Sequence, residues 1–297
     1  MNWPMNWDDV RIFLAVARAG QFLGAAKRLE LNHATVSRRI SALEEALRAK
    51  LFRRLTTGSE LTPAGTRFLD IAERMEADMI AARSTLAGEG DDISGTVRIG
   101  APDGFGVAFL ARHLGALTAT HRELTIQLVP VPRSFSLSRR EADIAITVER
   151  PTEGRLVAGK LVDYTLGLFA SRAYAEAHGL PRSVAELSNH TLIGYVPDLI
   201  VSPPLDYDAE FSPDWHSTFA ISSALGQAEA VRAGAGIGIL HTFIARSMPE
   251  LMPVDIVAPI RRAYWLVYHE TVRPLRRVQL VAGYITKAVE RERALFL

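Results

Sequence analysis

The stretch that determines the N-terminal fold is Gly20–Arg54, which reads GQFLGAAKRLELNHATVSRRISALEEALRAKLFRR. Apolar residues recur at helical spacing in both halves, at Phe22, Ala25, Ala26 and Leu29 and again at Val36, Ile40, Leu43 and Leu47. A polar break at Glu30–Asn32 separates them, and Asn32 is a good N-cap for the second helix. Small, hydroxylated and basic residues occupy the outer face of that helix. This pattern predicts a helix-turn-helix, whose second helix enters the major groove of DNA.

The charge of the chain is concentrated in the same region. Arg18–Arg54 contains nine basic and three acidic residues, a balance of +6, so the remainder carries −5 and the whole chain +1. Such a local positive field suits a polyanion, because phosphate contacts release counterions. The alternative is an ordinary three-helix bundle with a solvated basic face.

Length and composition exclude several other classes of protein. At 297 residues the chain should form two or more domains. It has no cysteine, which removes disulfides, thiolate metal sites and cysteine nucleophiles. The start of the chain lacks the pattern of a signal peptide, and no apolar run approaches the ~20 residues that span a bilayer. By elimination we expect a cytoplasmic protein.

The sequence supports neither an enzyme nor a bound cofactor or metal. Gly234–Gly238 is glycine-rich, but it follows a predicted helix and leads into a strand, the reverse of a dinucleotide-binding fingerprint. No two histidines are spaced for a helical metal site, and no serine lies in a G-x-S-x-G motif. We therefore expect no catalytic residues.

A wing and a long helix are predicted to follow the helix-turn-helix. Leu55–Thr57 and Ser59–Leu61 fit a short hairpin with its turn at Gly58. Thr62 and Pro63 are typical of a helix start. The helix carries an apolar seam in alternating steps of four and three residues, at Phe68, Ala72, Met75, Met79, Ala82 and Leu86. Such a seam favours pairing with the same helix of a second subunit; the alternative is packing on its own domain.

Beyond the turn-rich, acidic segment Gly88–Gly95, which we interpret as a linker, strands alternate with helices. Strands are predicted at Thr96–Ile99, Leu124–Val131, Ile144–Val148, Leu166–Ala170, Leu192–Tyr195, Ile237–Leu240 and Tyr264–Tyr268. Helices are predicted at Phe105–Thr118 and Leu275–Arg293, and a further helix is predicted to end with Ala228–Ala233. This alternation predicts an α/β fold with a largely parallel sheet, arranged as two lobes around a ligand cleft.

The whole chain resembles the LysR-type transcriptional regulators. The resemblance is strongest in three segments, WDDVRIFLAVARAG (7–20), AAKRLELNHATVSRRISALEEAL (25–47) and LFRRLTTGSELTPAG (51–65). It implies a DNA-binding winged helix-turn-helix over residues 1–64 and a dimerising linker helix and hinge over 65–94. It also implies a periplasmic-binding-protein-like effector domain over 95–297. The expected lobes of that domain are 95–162 with 266–297, and 163–265.

The family resemblance also implies partners and DNA contacts. Members form homodimers and usually homotetramers on double-stranded promoter DNA, and a small-molecule effector alters the contacts. The matching DNA-facing positions are Asn32, His33, Ala34, Thr35, Ser37, Arg38, Arg39 and Arg54. Among these we expect His33, Thr35 and Arg38 to contact bases or the groove, and Ser37, Arg39 and Arg54 to contact phosphates. Gln21 and Thr57 depart from the family, which often has serine and arginine there.

Strand ends supply the expected effector contacts. Family members often carry a hydroxyl just after the first strand of this domain, where this chain has Ala101, Pro102 and Asp103. The other candidates are Arg133, Ser134, Thr147, Arg150, Ser222 and Ser223. A carboxylate effector could use Arg133 or Arg150 with helix N-terminal amides. The alternative function is a small-molecule binding protein whose N-terminal helices serve dimerisation only.

Overall fold

A helix-turn-helix begins the structure, a computed structural model that describes residues 6–55, 58–86, 93–130, 142–152, 154–200, 207–212 and 214–297. The chain divides into two compact units. The first contains the N-terminal helices and the later segment His269–Arg276, and the second contains most of the remaining chain.

Three helices form the core of the first unit: α1 (Trp7–Ala19), α2 (Phe22–Leu29) and α3 (His33–Leu47). The apolar faces predicted from sequence point into this core, although Leu29 and Leu47 at the helix ends are only partly buried. The rings of Phe13 and Phe52 pack with centroids 5.2 Å apart. The Asn32 side chain accepts a hydrogen bond from the Thr35 amide at 2.7 Å, which confirms the predicted N-cap. At Gln21, by contrast, α2 has no side-chain cap.

The wing consists of the antiparallel strands β1 (Phe52–Leu55) and β2 (Gly58–Leu61). The predicted first strand, Leu55–Thr57, is therefore wrong, because the pairing begins at Phe52. The reason is tertiary. Phe52 is buried in the helical core, and its amide and that of Leu51 donate to the carboxylate of Glu44 on α3. Thr57 lies outside the described residues.

Gly58 positions the wing against the turn that follows α1. A Cβ atom there would lie 2.7 Å from the backbone oxygen of Gly20, and the φ of Gly58 is +152°. The neighbouring Ser59 amide donates to the same oxygen at 2.8 Å. Only glycine fits this close approach in that conformation.

The long helix α4 (Pro63–Leu86) begins as predicted, with the Thr62 hydroxyl accepting from the Gly65 amide at 3.0 Å. The two ends of the predicted seam differ in exposure. Phe68 and Ala72 are buried in the core of their own unit, whereas Met79 is 55% exposed and Ala82 is exposed too. A largely buried ion pair between Arg18 and Glu76 (2.6 Å) holds α4 against α1. The side chain of Leu86 lies outside the described part of the chain.

The second unit is built on a mixed sheet of nine strands in the order β4-β3-β5-β11-β6-β9-β7-β8, with β10 paired to β6. The strands are β3 (Gly95–Ala101), β4 (Leu124–Pro130), β5 (Ile144–Thr147), β6 (Leu156–Ser171), β7 (Leu192–Gly194), β8 (Phe219–Ala220), β9 (Ile237–His241), β10 (Leu251–Pro253) and β11 (Ile260–His269). Strands β3–β5 form one group, and β7–β9 form another.

The helices of this unit cover the sheet: α5 (Asp103–Phe105), α6 (Ala111–Thr120), α7 (Arg172–His178), α8 (Asp208–Phe211), α9 (Ala224–Arg232), α10 (Thr242–Ala245) and α11 (Arg276–Arg291). A π-helical segment, Gly106–Leu110, joins α5 to α6. The single helix predicted over Phe105–Thr118 is therefore irregular at its start.

The two groups of strands share β6 and β11. Within each group the pairing is parallel, as predicted for β3 with β4 and β5 and for β7 with β8 and β9. The prediction is wrong for the central strands, since β11 pairs antiparallel with β5, and β6 with β9. These two strands lie next to each other at the centre of the sheet, between the two groups. β6 is 16 residues long, well beyond the predicted Leu166–Ala170.

Candidate nucleic-acid interface and effector cleft

The outer face of α3 begins with four exposed residues of the predicted DNA-contact set: Asn32, His33, Ala34 and Arg38. Thr35 is half-buried beside them. Ala34 and Arg38 are one helical turn apart and so share a face. A small side chain at Ala34 permits close approach of another surface, and Arg38 then presents its guanidinium beyond it. This arrangement fits a helix that enters a groove by its N-terminal end.

Arg39 points elsewhere. Its guanidinium donates to Asp9 and, at 2.9 Å, to Asp8, both at the start of α1. The hydrogen bond to Asp9 is the largest contribution that raises the pKa of Arg39, and burial opposes it. A phosphate at Arg39 would compete with two carboxylates. The contact holds α3 against α1. The phosphate contact expected for Arg39 stays a prediction.

Ser37 faces the wing. Its hydroxyl is buried and has no hydrogen-bond partner among the described residues. It lines a cavity of about 280 Å³ between α2, α3 and β1, together with Phe22, Ile40, Ser41, Glu44, Lys50 and Phe52. The phosphate contact expected for Ser37 stays a prediction.

Glu44 lines that cavity and holds the wing to α3. Its carboxylate accepts from the amides of Leu51 (2.9 Å) and Phe52 (3.2 Å) and pairs with Lys50 (2.6 Å). Burial alone would raise the pKa of Glu44, but the hydrogen bonds from Lys50 and the two amides lower it overall. The charged form is therefore the one that the fold stabilises.

The wing carries paired charges. Arg53 on β1 is bonded to Glu60 opposite it on β2 at 2.5 Å, and both are well exposed. Arg54, another predicted DNA contact, lies in β1, and its side chain is outside what the structure describes. Glu60 offsets the charge of Arg53, so the wing contributes a weaker positive field than its two arginines would without Glu60.

A second candidate site lies where β3 ends. Ala101 is the buried last residue of β3, Pro102 follows, and Asp103 begins α5. The Asp103 carboxylate accepts from the hydroxyl of Ser223 at 2.5 Å and from the Leu225 amide at 3.4 Å. Ser223 is the N-cap of α9 and itself accepts from the Gly226 amide at 3.1 Å. The structure thus brings together two predicted residues, Asp103 and Ser223, that belong to different groups of strands.

Gly104 packs tightly beside this contact. A Cβ atom there would lie 3.1 Å from the side chain of Ile244, 3.3 Å from Ala224 and 3.9 Å from His241. The start of α5 therefore rests directly on α9 and on the end of β9.

An aromatic cluster adjoins Asp103. The Tyr164 ring stacks on Tyr264 (centroids 4.1 Å apart) and on His241 (5.2 Å). Burial lowers the pKa of His241 to about 4, against the opposing effect of Asp103, so His241 is neutral near pH 7. Burial raises the pKa of Tyr195, and the charge of Asp103 adds to that rise. The sequence analysis missed these residues because they are far apart in the chain and carry no shared motif.

The remaining effector candidates are distributed differently. The Thr147 hydroxyl donates to the Glu149 carbonyl at 2.6 Å, within its own loop. Arg150 lies over the Trp265 ring, 5.8 Å from its centroid. Ser222 is half-buried next to Ser223. Arg133 and Ser134 lie outside the described residues.

Two other features are absent from the described ranges. No group of three or more His, Asp or Glu side chains there is arranged to hold a metal ion. Nor does any helix among those residues combine the length and apolar character needed to cross a membrane.

Two family models match the chain, one at each end. Residues 7–66 match the model described as bacterial regulatory helix-turn-helix protein, lysR family, and residues 90–290 match the LysR substrate binding domain. A winged helix-turn-helix joined to such a domain defines a DNA-binding transcriptional regulator with an effector-binding domain. The chain belongs to the LysR family of transcriptional regulators. The alternative of N-terminal helices that only dimerise a binding protein finds no support here.

Individual relatives are similar over most or part of the chain. An HTH-type transcriptional regulator of Xanthomonas campestris is 32% identical over 62% of this chain and 53% of its own length. The regulator CrgA of Neisseria meningitidis is 27% identical over 80% of each chain. The structure of a full-length OxyR variant from Pseudomonas aeruginosa superposes with a TM-score of 0.72 at 18% identity, covering 98% of this chain and 96% of that one. That last likeness concerns the fold.

Proposed function

We propose that this regulator reads promoter DNA mainly through the N-terminal half of α3. His33, Thr35 and Arg38 contact base edges or the groove, Asn32 and Ala34 line the approach, and Arg54 contacts phosphate. The observation that carries this proposal is the exposed face formed by His33, Ala34 and Arg38 at the start of a helix whose other side is buried. Arg39 supports the helix, because its guanidinium donates to Asp9 on α1.

The functional unit we propose is a homodimer through the exposed part of α4, assembled further into a tetramer, acting in the cytoplasm and without catalytic activity. Met79 and Ala82 support the dimer, since both are exposed on a seam whose earlier residues are buried. A small-molecule effector binds where β3 and β5 end and α9 begins, and shifts the contacts with DNA.

Fluorescence anisotropy with a labelled duplex from upstream of the protein's own or a neighbouring gene tests the DNA-binding proposal. We expect tighter binding than to a scrambled duplex of equal length and composition, with an affinity that falls steeply as salt rises. Equal affinity for both duplexes at every salt concentration would contradict sequence-specific reading.

A further inference from the structure

We infer that Asp103 is an internal ligand of the effector cleft: its carboxylate occupies the anion position at the N-terminus of α9, so a carboxylate effector is refused there. This inference rests on the proposed effector role of the cleft and names the chemical class that the cleft excludes. It replaces the expectation, drawn from sequence, that the effector is itself a carboxylate.

The hydrogen bonds of Asp103 are those that a bound anion would make. The first amides of a helix lack partners within the helix, and they point at an anion together with the positive end of the helix dipole. Asp103 accepts from the Ser223 hydroxyl (2.5 Å) and the Leu225 amide (3.4 Å) with the same oxygen. Ser223 in turn accepts a hydrogen bond from the Gly226 amide, so Asp103 and Ser223 together bind amides at the start of α9.

Asp103 comes to α9 from another part of the chain. It is separated by 120 residues from Ser223, and it begins α5 at the end of β3, in the opposite group of strands. It is therefore no local cap of α9. A carboxylate that bridges the two groups of strands does what an effector does when it binds between them: it stabilises the arrangement in which the two groups are in contact.

The start of α5 packs closely on the start of α9 next to Asp103. A Cβ atom added at Gly104 would lie 3.1 Å from the side chain of Ile244 and 3.3 Å from that of Ala224, so there is little space between the two helix starts. His241 is buried and neutral near pH 7, and therefore supplies no positive charge to hold another carboxylate beside Asp103.

Chemical rescue tests the inference. Asp103→Ala removes one carboxylate group, and formate has the size and charge of the group removed. We expect 100 mM sodium formate to raise the Tm of the full-length Asp103→Ala protein by about 3–5 °C if it is present at ten times its Kd. Sodium chloride at equal ionic strength and neutral formamide should not do so. Wild-type protein should not respond to formate, because Asp103 already fills the position.

Two further variants assign the effect to the proposed position. Rescue should disappear in the double variant Asp103→Ala/Ser223→Ala, which loses the hydroxyl donor. The matched control is Asp143→Ala, which removes another carboxylate that accepts a backbone amide, that of Arg98 at 2.8 Å, outside the cleft; formate should leave its Tm unchanged. If Asp103→Ala does not fold, Asp103→Ser replaces it, with acetate and formate as the probes.

The inference is overturned if formate stabilises wild type as much as the variant, if rescue persists without Ser223, or if no anion rescues a folded variant. The anisotropy experiment with wild-type protein tests the proposed DNA reading separately. Loss of specific DNA binding would contradict the proposed DNA reading but would not affect the inference about Asp103. Failure of the formate rescue would contradict that inference but would not affect the proposed DNA reading.

Discussion

Arg39 on α3 is ion-paired with Asp9 at the start of α1. The same guanidinium reaches Asp8, and Asp9 is only 8% exposed. A basic residue in the middle of the recognition helix therefore serves the internal geometry of the helix-turn-helix, because it fixes the crossing of α3 with α1. The adjacent Arg38 is exposed, so the two neighbouring arginines have different surroundings.

Arg39→Ala should destabilise the protein, because it leaves the nearly buried Asp9 carboxylate without its strongest partner. We expect a loss of roughly 1–3 kcal/mol in the free energy of unfolding, measured by urea denaturation followed by circular dichroism. Arg28→Ala, which removes an exposed arginine of α2, is the control and should change stability by less than about 0.5 kcal/mol. Equal stabilities for the two variants would mean that the Arg39 pair contributes nothing.

Arg38→Ala should weaken DNA binding and leave the stability of the protein unchanged. Its side chain is exposed on the outer face of α3, so stability should be unchanged while binding of the specific duplex weakens by roughly 1–3 kcal/mol. Anisotropy titrations at constant salt measure the loss. Arg122→Ala in the second unit makes the same change in net charge away from α3 and controls for long-range electrostatics. If both variants bind equally well, Arg38 does not read the duplex.

Glu44 should make the attachment of the wing sensitive to acid. The pKa of Glu44 is lowered in the folded state, so its stabilising contribution is present above its ordinary value of about 4.5 and is lost as the pH falls below it. Glu44→Gln should therefore be less stable than wild type at pH 7, and the difference should shrink towards pH 3. Denaturation curves across this range provide the measurement. Glu45→Gln, at an exposed neighbouring position, should track wild type throughout.

Met79→Asp should weaken the proposed dimer. A charge on the exposed part of the α4 seam would have to be buried against a partner helix, which is costly without a counter-charge. Size-exclusion chromatography with light scattering should show a shift towards monomer at micromolar concentration. Leu23→Asp is a matched control, since Leu23 and Met79 are both 55% exposed and only Met79 lies on the seam. A dimer unaffected by Met79→Asp would rule out this face of α4 as the interface.

Local sequence was sufficient where the determining contacts are local. The caps at Asn32 and Thr62 were predictable because each side chain bonds an amide three residues ahead. The helical faces of α2 and α3 followed from spacing, and together with the wing and long helix they carried the family resemblance that the family model confirmed.

Sequence was insufficient where residues far apart in the chain meet. The start of the wing at Phe52 depends on the Glu44 carboxylate and on core packing, which hairpin patterns do not contain. The pairing of Arg39 with Asp9 and that of Asp103 with Ser223 required the fold, because nothing in the spacing links them. The family resemblance placed Arg39 among the DNA contacts, and its pairing with Asp9 is a contact that the sequence did not indicate.

The length of β6 has a consequence for how the second unit melts. Its 16 residues are continuous from one group of strands to the other, and β11 lies beside it at the centre of the same sheet. Unfolding of either group removes hydrogen bonds from this central pair, because β9 pairs with β6 and β5 pairs with β11. We therefore expect the two groups to share one cooperative transition, to which a contact between them such as Asp103 with Ser223 contributes.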